Sequence, residues 1–354
     1  MPHIGSSPRP AILAVPGVSL AIILTSILAF GATEALAHVR WFVDTNVTVE
    51  NFVAYSITDP EVLIWIAIAC ALVGASVVLD AVLPEVRVVG SETRHDFIEI
   101  LRIFTGMSML LTAYEGAIVA PHLIAYGAFG TKLVFLQAVI GILFIANRFV
   151  RHAAILLILL HLGLTVQFGI LAALEYAIMV GIAIFLLINT LPTAELRERY
   201  KPFSVAIMRI LAGVSLITLG LAEKLFGAIM AESFLAANPW NFLPALGFDF
   251  FTDRLFALSA GFTEVVFGVI LVLGTTTRLN VLALSVVLLA SNILFLVEGN
   301  NEAALVEFVG HMPVIGVALV LLLLGAGQRW KLRRLLPQRR KNTTMKTIRV
   351  PSDA

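Results

Sequence analysis

The chain has 354 residues, of which 59% are hydrophobic and only 13% are charged, and its formal net charge is +1. Soluble domains carry about 45–50% apolar and about 25% charged residues, so this composition excludes a soluble globular protein and predicts an all-α, polytopic membrane protein. The single cysteine, Cys70, excludes an intramolecular disulfide and a CxxC motif, and the only basic run is the C-terminal tail, which argues against nucleic acid as a partner.

The first apolar stretch, residues 11–37, has two interpretations. It is long enough to cross a membrane as a helix. It also resembles a secretory signal peptide, because Arg9 precedes the apolar run and Ala35-Leu36-Ala37 has the small-x-small form of a cleavage site. The length of the run favours a retained helix.

Nine further apolar stretches follow, each near the ~20 residues that a transmembrane helix needs. They cover residues 61–83, 98–120, 132–147, 153–171, 173–190, 204–226, 255–274, 279–297 and 307–326. The sequence therefore predicts about ten transmembrane helices, or nine if the first is cleaved. The aromatic-rich loop 231–253 is expected to lie on the membrane interface or to fold back over the bundle.

Basic residues predict the orientation of these helices. With the N-terminus inside, 20 of the 24 Lys and Arg residues fall in inside segments or at the inner ends of spans. This bias is typical of cytoplasmic loops. It predicts an inner (plasma) membrane protein of bacterial type, in contact with lipid, with a basic cytoplasmic tail at residues 328–354.

The chain also contains an internal repeat. The pattern R-I-x-x-G-x-S occurs at Arg102 and again at Arg209, each time on the first of four spans. The second span of each set carries a polar residue four positions before a glycine. These pairs are Gln137 with Gly141 and Glu264 with Gly268. The sequence predicts two parallel four-helix units, residues 97–192 and 203–327, after an N-terminal segment, residues 1–96.

Polar residues inside the spans indicate a candidate site, because an unpaired charge in a membrane is costly. In the second unit the cluster is predicted to contain Glu223, Lys224, Glu264 and His311. Glu264 lies near midspan and needs a partner, and Lys224 and His311 are the expected ones. In the first unit the corresponding polar residues are Glu115, Gln137, His161 and Glu175.

A structural interpretation stands beside the functional one. Arg102, Arg209 and Arg278 are expected to join a polar network in the bundle, with Arg209 in a structural role. The Glu264 cluster can also act as a polar staple between helices. His161 with Glu115 and Glu175 can in principle bind a metal, but their spacing is not that of a metal motif, so no metal site is predicted.

Residues 204–326 resemble the DoxX family of four-helix membrane proteins. The residues that carry this resemblance are Arg209, Gly213, Gly220 and Lys224, followed by Glu264, Gly268 and the run Gly274-Thr275-Thr276-Thr277-Arg278. Residues 98–190 resemble a degenerate second copy, in which Gly116 and Ala117 stand where Glu223 and Lys224 would align. The resemblance implies a subunit of a membrane oxidoreductase complex, as in thiosulfate:quinone oxidoreductase, with a quinone as ligand. Cys70 alone departs from the paired-cysteine chemistry of related bundles.

The resemblance implies a quinone-facing subunit that works with a protein partner or as a homo-oligomer. Glu264 and His311 would deliver protons, and Lys224 would stabilise the negative charge that develops on the ligand. No flavin, haem or iron–sulfur motif is evident, so a partner or a small substrate would donate electrons. The alternatives are a non-catalytic scaffold or assembly protein and a small-solute transporter. Spans without a break in the middle disfavour the transporter.

Overall fold

The computed structural model describes residues 42, 52–83, 91–238 and 240–332. These residues form ten α-helices: α1 (Pro60–Val82), α2 (Ser91–Tyr114), α3 (Gly127–Ile145), α4 (Val150–Glu175), α5 (Ala177–Asn189), α6 (Ala194–Leu219), α7 (Ala228–Ala237), α8 (Asp253–Leu273), α9 (Thr277–Val297) and α10 (Asn301–Leu324). A π-helical segment, Gly220–Phe226, continues α6. The predicted first span, residues 11–37, and most of the basic tail, residues 333–354, lie outside the described residues.

Eight helical segments of the described chain are long and apolar enough to cross a membrane, which confirms an all-α polytopic membrane protein. The predicted span 173–190 corresponds to α5, which begins later than predicted and is shorter than the eight candidate spans. Residues up to Glu175 belong to α4, and α5 has only 13 residues. At about 1.5 Å per residue it is about 20 Å long, which is shorter than the ~30 Å hydrocarbon core of a bilayer.

Successive long helices run in opposite directions, so the bundle has two distinct ends. At one end, Arg102, Arg209 and Arg278 bind the carbonyl groups that end neighbouring helices, and we call this the arginine end. At the opposite end, which we call the aromatic end, Trp240 packs on Phe295 with 4.6 Å between ring centroids. Both predicted four-helix sets begin at the arginine end.

The loop after the π-helical segment folds back over the aromatic end. Helix α7 packs on α8, and its Phe234 contacts Trp240 edge to face. Trp240 also donates from Nε1 to the Glu298 carboxylate at 3.0 Å. Residues 231–253 were expected either to lie on the membrane interface or to fold back over the bundle. The contacts of Phe234 and Trp240 confirm the second expectation for the part of the loop that contains them.

The helices of the bundle form a closed ring of contacts. Helix α2 packs on α3 and α6 packs on α8, while α5 packs on α6 and α10 packs on α2. The fourth helix of each predicted unit therefore contacts the first helix of the other unit. Helix α1 lies at the edge of the bundle against α8 and buries only Val62 and Ser76.

Glycines allow two of these helix pairs to touch through their backbones. A Cβ atom built on Gly213 would lie 2.6 Å from the carbonyl oxygen of Gly268, and the reverse distance is also 2.6 Å. In the first set, a Cβ atom built on Gly106 would lie 2.9 Å from the carbonyl oxygen of Gly141, and the reverse distance is also 2.9 Å. Small residues at such crossings permit the close approach on which helix association in membranes depends.

Three interruptions occur near the aromatic end. Helix α2 stops at Tyr114, six residues before the end of its predicted span, and residues 115–126 form a compact segment in which Ala117 pairs with Ile124. Gly169 breaks α4 with φ 89° and ψ 174°. The third is the π-helical turn after α6. All three interruptions lie towards one end of their spans and not in the middle, which agrees with the expectation of spans without a midspan break.

Replacing Gly213 with alanine should destabilise the fold, because the new methyl group would clash with the Gly268 carbonyl. Overpacking of this kind costs about 1–3 kcal/mol. Gly74 of α1 is the matched control, since a Cβ atom there meets nothing within 4 Å. We expect Gly213→Ala to lower the unfolding temperature in detergent and Gly74→Ala to leave it unchanged or raise it. Equal melting of the two variants would contradict the glycine contact.

Candidate functional site

A cluster of ion pairs lies at the junction of the π-helical segment and α8. Lys224 Nζ donates to both carboxylate oxygens of Glu264, at 2.9 and 3.0 Å, and lies 3.3 Å from Oε2 of Glu223. The predicted pairing of Lys224 with Glu264 is confirmed. One lysine therefore lies between two acidic side chains within a candidate span, where each charge needs a partner.

Glu223 and Lys224 lie in the π-helical turn at Gly220–Phe226, which is wider than a regular helical turn. Lys224 contacts both Glu223 and Glu264 of α8. Gly220 allows this turn to pack closely on α8, because a Cβ atom there would lie 2.7 Å from the Gly261 carbonyl oxygen. Single π-turns inside helices are frequent at functional sites.

His311 and Glu307 extend the cluster on α10. Both side chains are buried, and His311 lies within electrostatic range of Lys224. The ring Nδ1 of His311 is 2.9 Å from the backbone carbonyl oxygen of Glu307. Because a carbonyl can only accept, Nδ1 carries a proton and Nε2 is the basic nitrogen. His311 thus contributes a proton acceptor to the region.

The pair of Lys224 and Glu264 is only partly covered. Their side chains are 14% and 22% exposed, whereas Glu223 is 1% exposed. Glu264 follows the start of α8 by 11 residues, or about 16 Å of helix. The neighbouring helix α9 is buried only near its ends, at Thr277, Asn280, Val281 and Phe295. The pair is therefore not completely sealed inside the bundle.

The three arginines predicted for the polar network have a structural role. Arg209, which is 0% exposed, donates to the carbonyls of Leu271 and Val272 at the end of α8 and to that of Trp330 at 2.7 Å. The other two arginines also donate to carbonyls at helix ends. Arg278 donates to the carbonyls of Leu322 and Leu323 at the end of α10, and Arg102 donates to that of Ile145 at the end of α3. Each arginine satisfies carbonyls that a helix end leaves without a partner.

The first set of helices differs at the corresponding place. Gln137 is fully buried and binds the segment 115–126, accepting from the Val119 N–H at 2.8 Å and donating to the Ala117 carbonyl at 3.1 Å. It also contacts Thr112 and Met109. Here a neutral side chain holds a buried backbone segment, where the second set has a lysine and two carboxylates.

The other residues predicted for the first set do not form one cluster of acids and histidine. Glu115 is exposed, because α2 ends before it and the chain turns away, so its place in the bundle network was wrongly predicted. Glu175 is buried at the end of α4. His161 is half-buried, and its Nδ1 has no hydrogen-bond partner within the described chain. Among the described residues no group of three or more His, Cys, Asp or Glu side chains is close enough to hold a metal.

A polar cluster at the aromatic end was not predicted. Arg254, at the start of α8, lies against the ring of Tyr55 and within 4 Å of Asp59, Glu61 and Glu232. Burial and the charge of Glu232 raise the pKa of Tyr55, which stays protonated and donates to the Arg254 carbonyl at 2.7 Å. The cluster attaches the segment before α1 to α8. Distant sequence positions create it, so no local pattern predicts it.

Lys224→Met should be the most damaging single change in the cluster, because it leaves Glu223 and Glu264 facing each other without a cation. Removing one partner of a buried ion pair costs about 3–5 kcal/mol, and partial exposure favours the low end. Glu264→Gln should cost less, since Lys224 keeps Glu223. Exposed Lys132→Met is the control. Thermal unfolding checks the order, and equal stability of Lys224→Met and the wild type would contradict it.

Arg209→Met should also destabilise the protein, because it removes the donor from three carbonyls. Each buried polar group left unsatisfied costs about 1–3 kcal/mol. Arg199, which is exposed on the same helix, is the matched control. We expect a clear loss of folded yield and unfolding temperature for Arg209→Met only. If both variants behave alike, the capping role is excluded.

A comparison of this chain with protein-family models, curated proteins and solved structures finds no match.

Proposed function

We propose that this chain is a quinone-facing subunit of a membrane oxidoreductase complex, with its ligand site beside Lys224 and Glu264. The observation that carries the proposal is a lysine paired with acidic side chains within a candidate membrane span, where Lys224 and Glu264 are only partly buried. A purely structural ion pair in a membrane would be expected to be fully buried. A quinone moves in the lipid phase and, when bound, accepts two electrons and two protons.

The residues suit a ligand of this kind. Lys224 can stabilise negative charge that develops on a carbonyl oxygen, because a preorganised cation in a dry site acts strongly on such charge. Glu264 lies 2.9 Å from the ammonium group and can hold a proton next to it. His311 offers Nε2 as a second proton carrier. Electrons would come from a partner protein or a small substrate.

The proposal includes two parallel four-helix units, α2–α5 and α6–α10 with α7 as an insertion. Matched contacts support it, since residues 107 positions apart have equivalent neighbours. Gly316 of α10 packs on Leu101, and Gly181 of α5 packs on Met208. The crossings of Gly106 with Gly141 and of Gly213 with Gly268 are equivalent too. The resemblance of the second unit to the DoxX family supports the same assignment. It is also the reason for proposing a quinone as the ligand.

The proposal also includes an orientation. The arginine end would face the cytoplasm of a bacterial-type inner membrane, and the C-terminal tail would follow it. The distribution of Lys and Arg supports this, because 20 of the 24 lie on that side in the predicted topology.

A small-solute transporter is the second candidate. The break of α4 at Gly169 and the π-helical turn of α6 favour it, because interrupted helices form ion and substrate sites in many transporters. Solute uptake into vesicles would distinguish this function from quinone chemistry.

Bound quinone should be measured in the purified wild type, in Glu264→Gln and in the control Glu302→Gln, whose side chain is exposed on α10. Quinone reduction should be measured in the same samples with thiosulfate as the electron donor, which is the small substrate that the resemblance implies. We expect co-purified quinone in the wild type and a loss of turnover in Glu264→Gln of about 10²-fold or more, the usual contribution of a proton-transfer group. Samples should be matched for folded yield. No quinone and no turnover in the wild type, with poor folding of Glu264→Gln, would indicate a scaffold.

A further inference from the structure

Glu307 is a buried carboxyl group that the proposed site does not yet use. It is 6% exposed and lies on α10 one helical turn before His311. Its Oε1 lies 2.6 Å from Ser291 Oγ of α9, and its Oε2 is buried without a hydrogen-bond partner in the described chain. No described cation forms an ion pair with it. An ionised carboxylate in this position would be very costly.

The hydrogen bonds of Ser291 indicate where a proton resides. Ser291 Oγ lies 2.9 Å from the Leu288 carbonyl oxygen and 2.6 Å from Glu307 Oε1. A hydroxyl group has one hydrogen, and a carbonyl can only accept. The single Ser291 hydrogen serves either the Leu288 carbonyl or Glu307, so only a proton on the carboxyl group gives both contacts a hydrogen. Oε2 is then the carbonyl oxygen of a neutral acid, which tolerates the lack of a partner far better than a carboxylate.

We propose that Glu307 is a neutral carboxylic acid that stores a proton for the Lys224–Glu264 site. Glu307 follows the start of α10 by six residues, about 9 Å, whereas His311 lies about 15 Å along it. Glu307 thus stands between the aromatic end and His311. It releases its proton towards Nε2 of His311, becomes a carboxylate for the duration of the transfer, and takes up a new proton from the aqueous aromatic end.

The charged groups around this position agree with a proton store. On α10 itself they are His311 and the exposed Glu302, and the π-helical segment and α8 contribute Lys224, Glu223 and Glu264. Helix α9 contributes the neutral Ser291 and Asn292, and Asn292 binds the Ala304 carbonyl. Residues 108–114 of α2 include no charged side chain. Lys224 is already bound to its two carboxylates, so a proton remains the means of neutralising Glu307.

Infrared spectroscopy of the full-length protein tests the protonation directly. A carboxylic acid has a C=O stretching band that a carboxylate lacks, and the band shifts in D2O. At neutral pH we expect the wild type to show this band, Glu307→Gln to lose it and Ser291→Ala to shift it. The control Glu302→Gln should leave it unchanged. Absence of the band from the wild type, or a band that Glu307→Gln leaves unchanged, would overturn the proposal.

The role as a proton source rests on the proposed function and has a separate readout. In Glu307→Gln we expect quinone reduction to fall tenfold or more and to lose the pH profile of the wild type, with bound quinone retained. An unchanged rate and profile would overturn the proton supply. Absence of turnover in the wild type would overturn the quinone function and the proton supply together, while the infrared result still decides the protonation of Glu307.

Discussion

Within a membrane, every polar group must find its partner inside the protein, and this constraint accounts for most of the side-chain contacts in the bundle. The ends of helices need the most partners, because each C-terminal end leaves several backbone carbonyls without a hydrogen bond. Arg209 provides the most such hydrogen bonds, since its guanidinium donates to two carbonyls at the end of α8 and to the carbonyl of Trp330. The planar guanidinium group has five donors, which a lysine cannot match.

The same constraint separates the two sets of helices. In the first, Gln137 provides both a donor and an acceptor for the backbone of residues 115–126, so a buried loop is satisfied by a neutral amide. In the second, Glu264 precedes Gly268 by four residues, as Gln137 precedes Gly141, and it pairs with Lys224. A sealed, neutral arrangement suits a structural role. A charged one that remains partly exposed suits a ligand, and for this reason the proposed function belongs to the second set.

Close contacts between helices hold each of the two sets together. Glycine pairs bring α2 onto α3 and α6 onto α8, and they leave no space for larger side chains at the crossings. Gly106 and Gly213 follow Arg102 and Arg209 by four residues, so these crossings lie near the arginine end. The interruptions at Gly169 and at the π-helical turn lie towards the other end. The helices are therefore regular where they cross closely, and their backbone is irregular towards the aromatic end.

Composition and periodicity by themselves determined the all-α membrane class and the approximate position of most spans, because a helix that crosses a bilayer must be apolar along its whole length. They also identified Lys224 and Glu264 as partners, since charges in a span must pair. Only the tertiary structure decided where helices end or break. Tyr114, Gly169 and Glu175 lie in runs that are apolar on both sides, so hydropathy has no signal there. Glu307 was missed for a related reason, since it ends an acidic loop in the sequence and only the approach of Ser291 shows that it is buried.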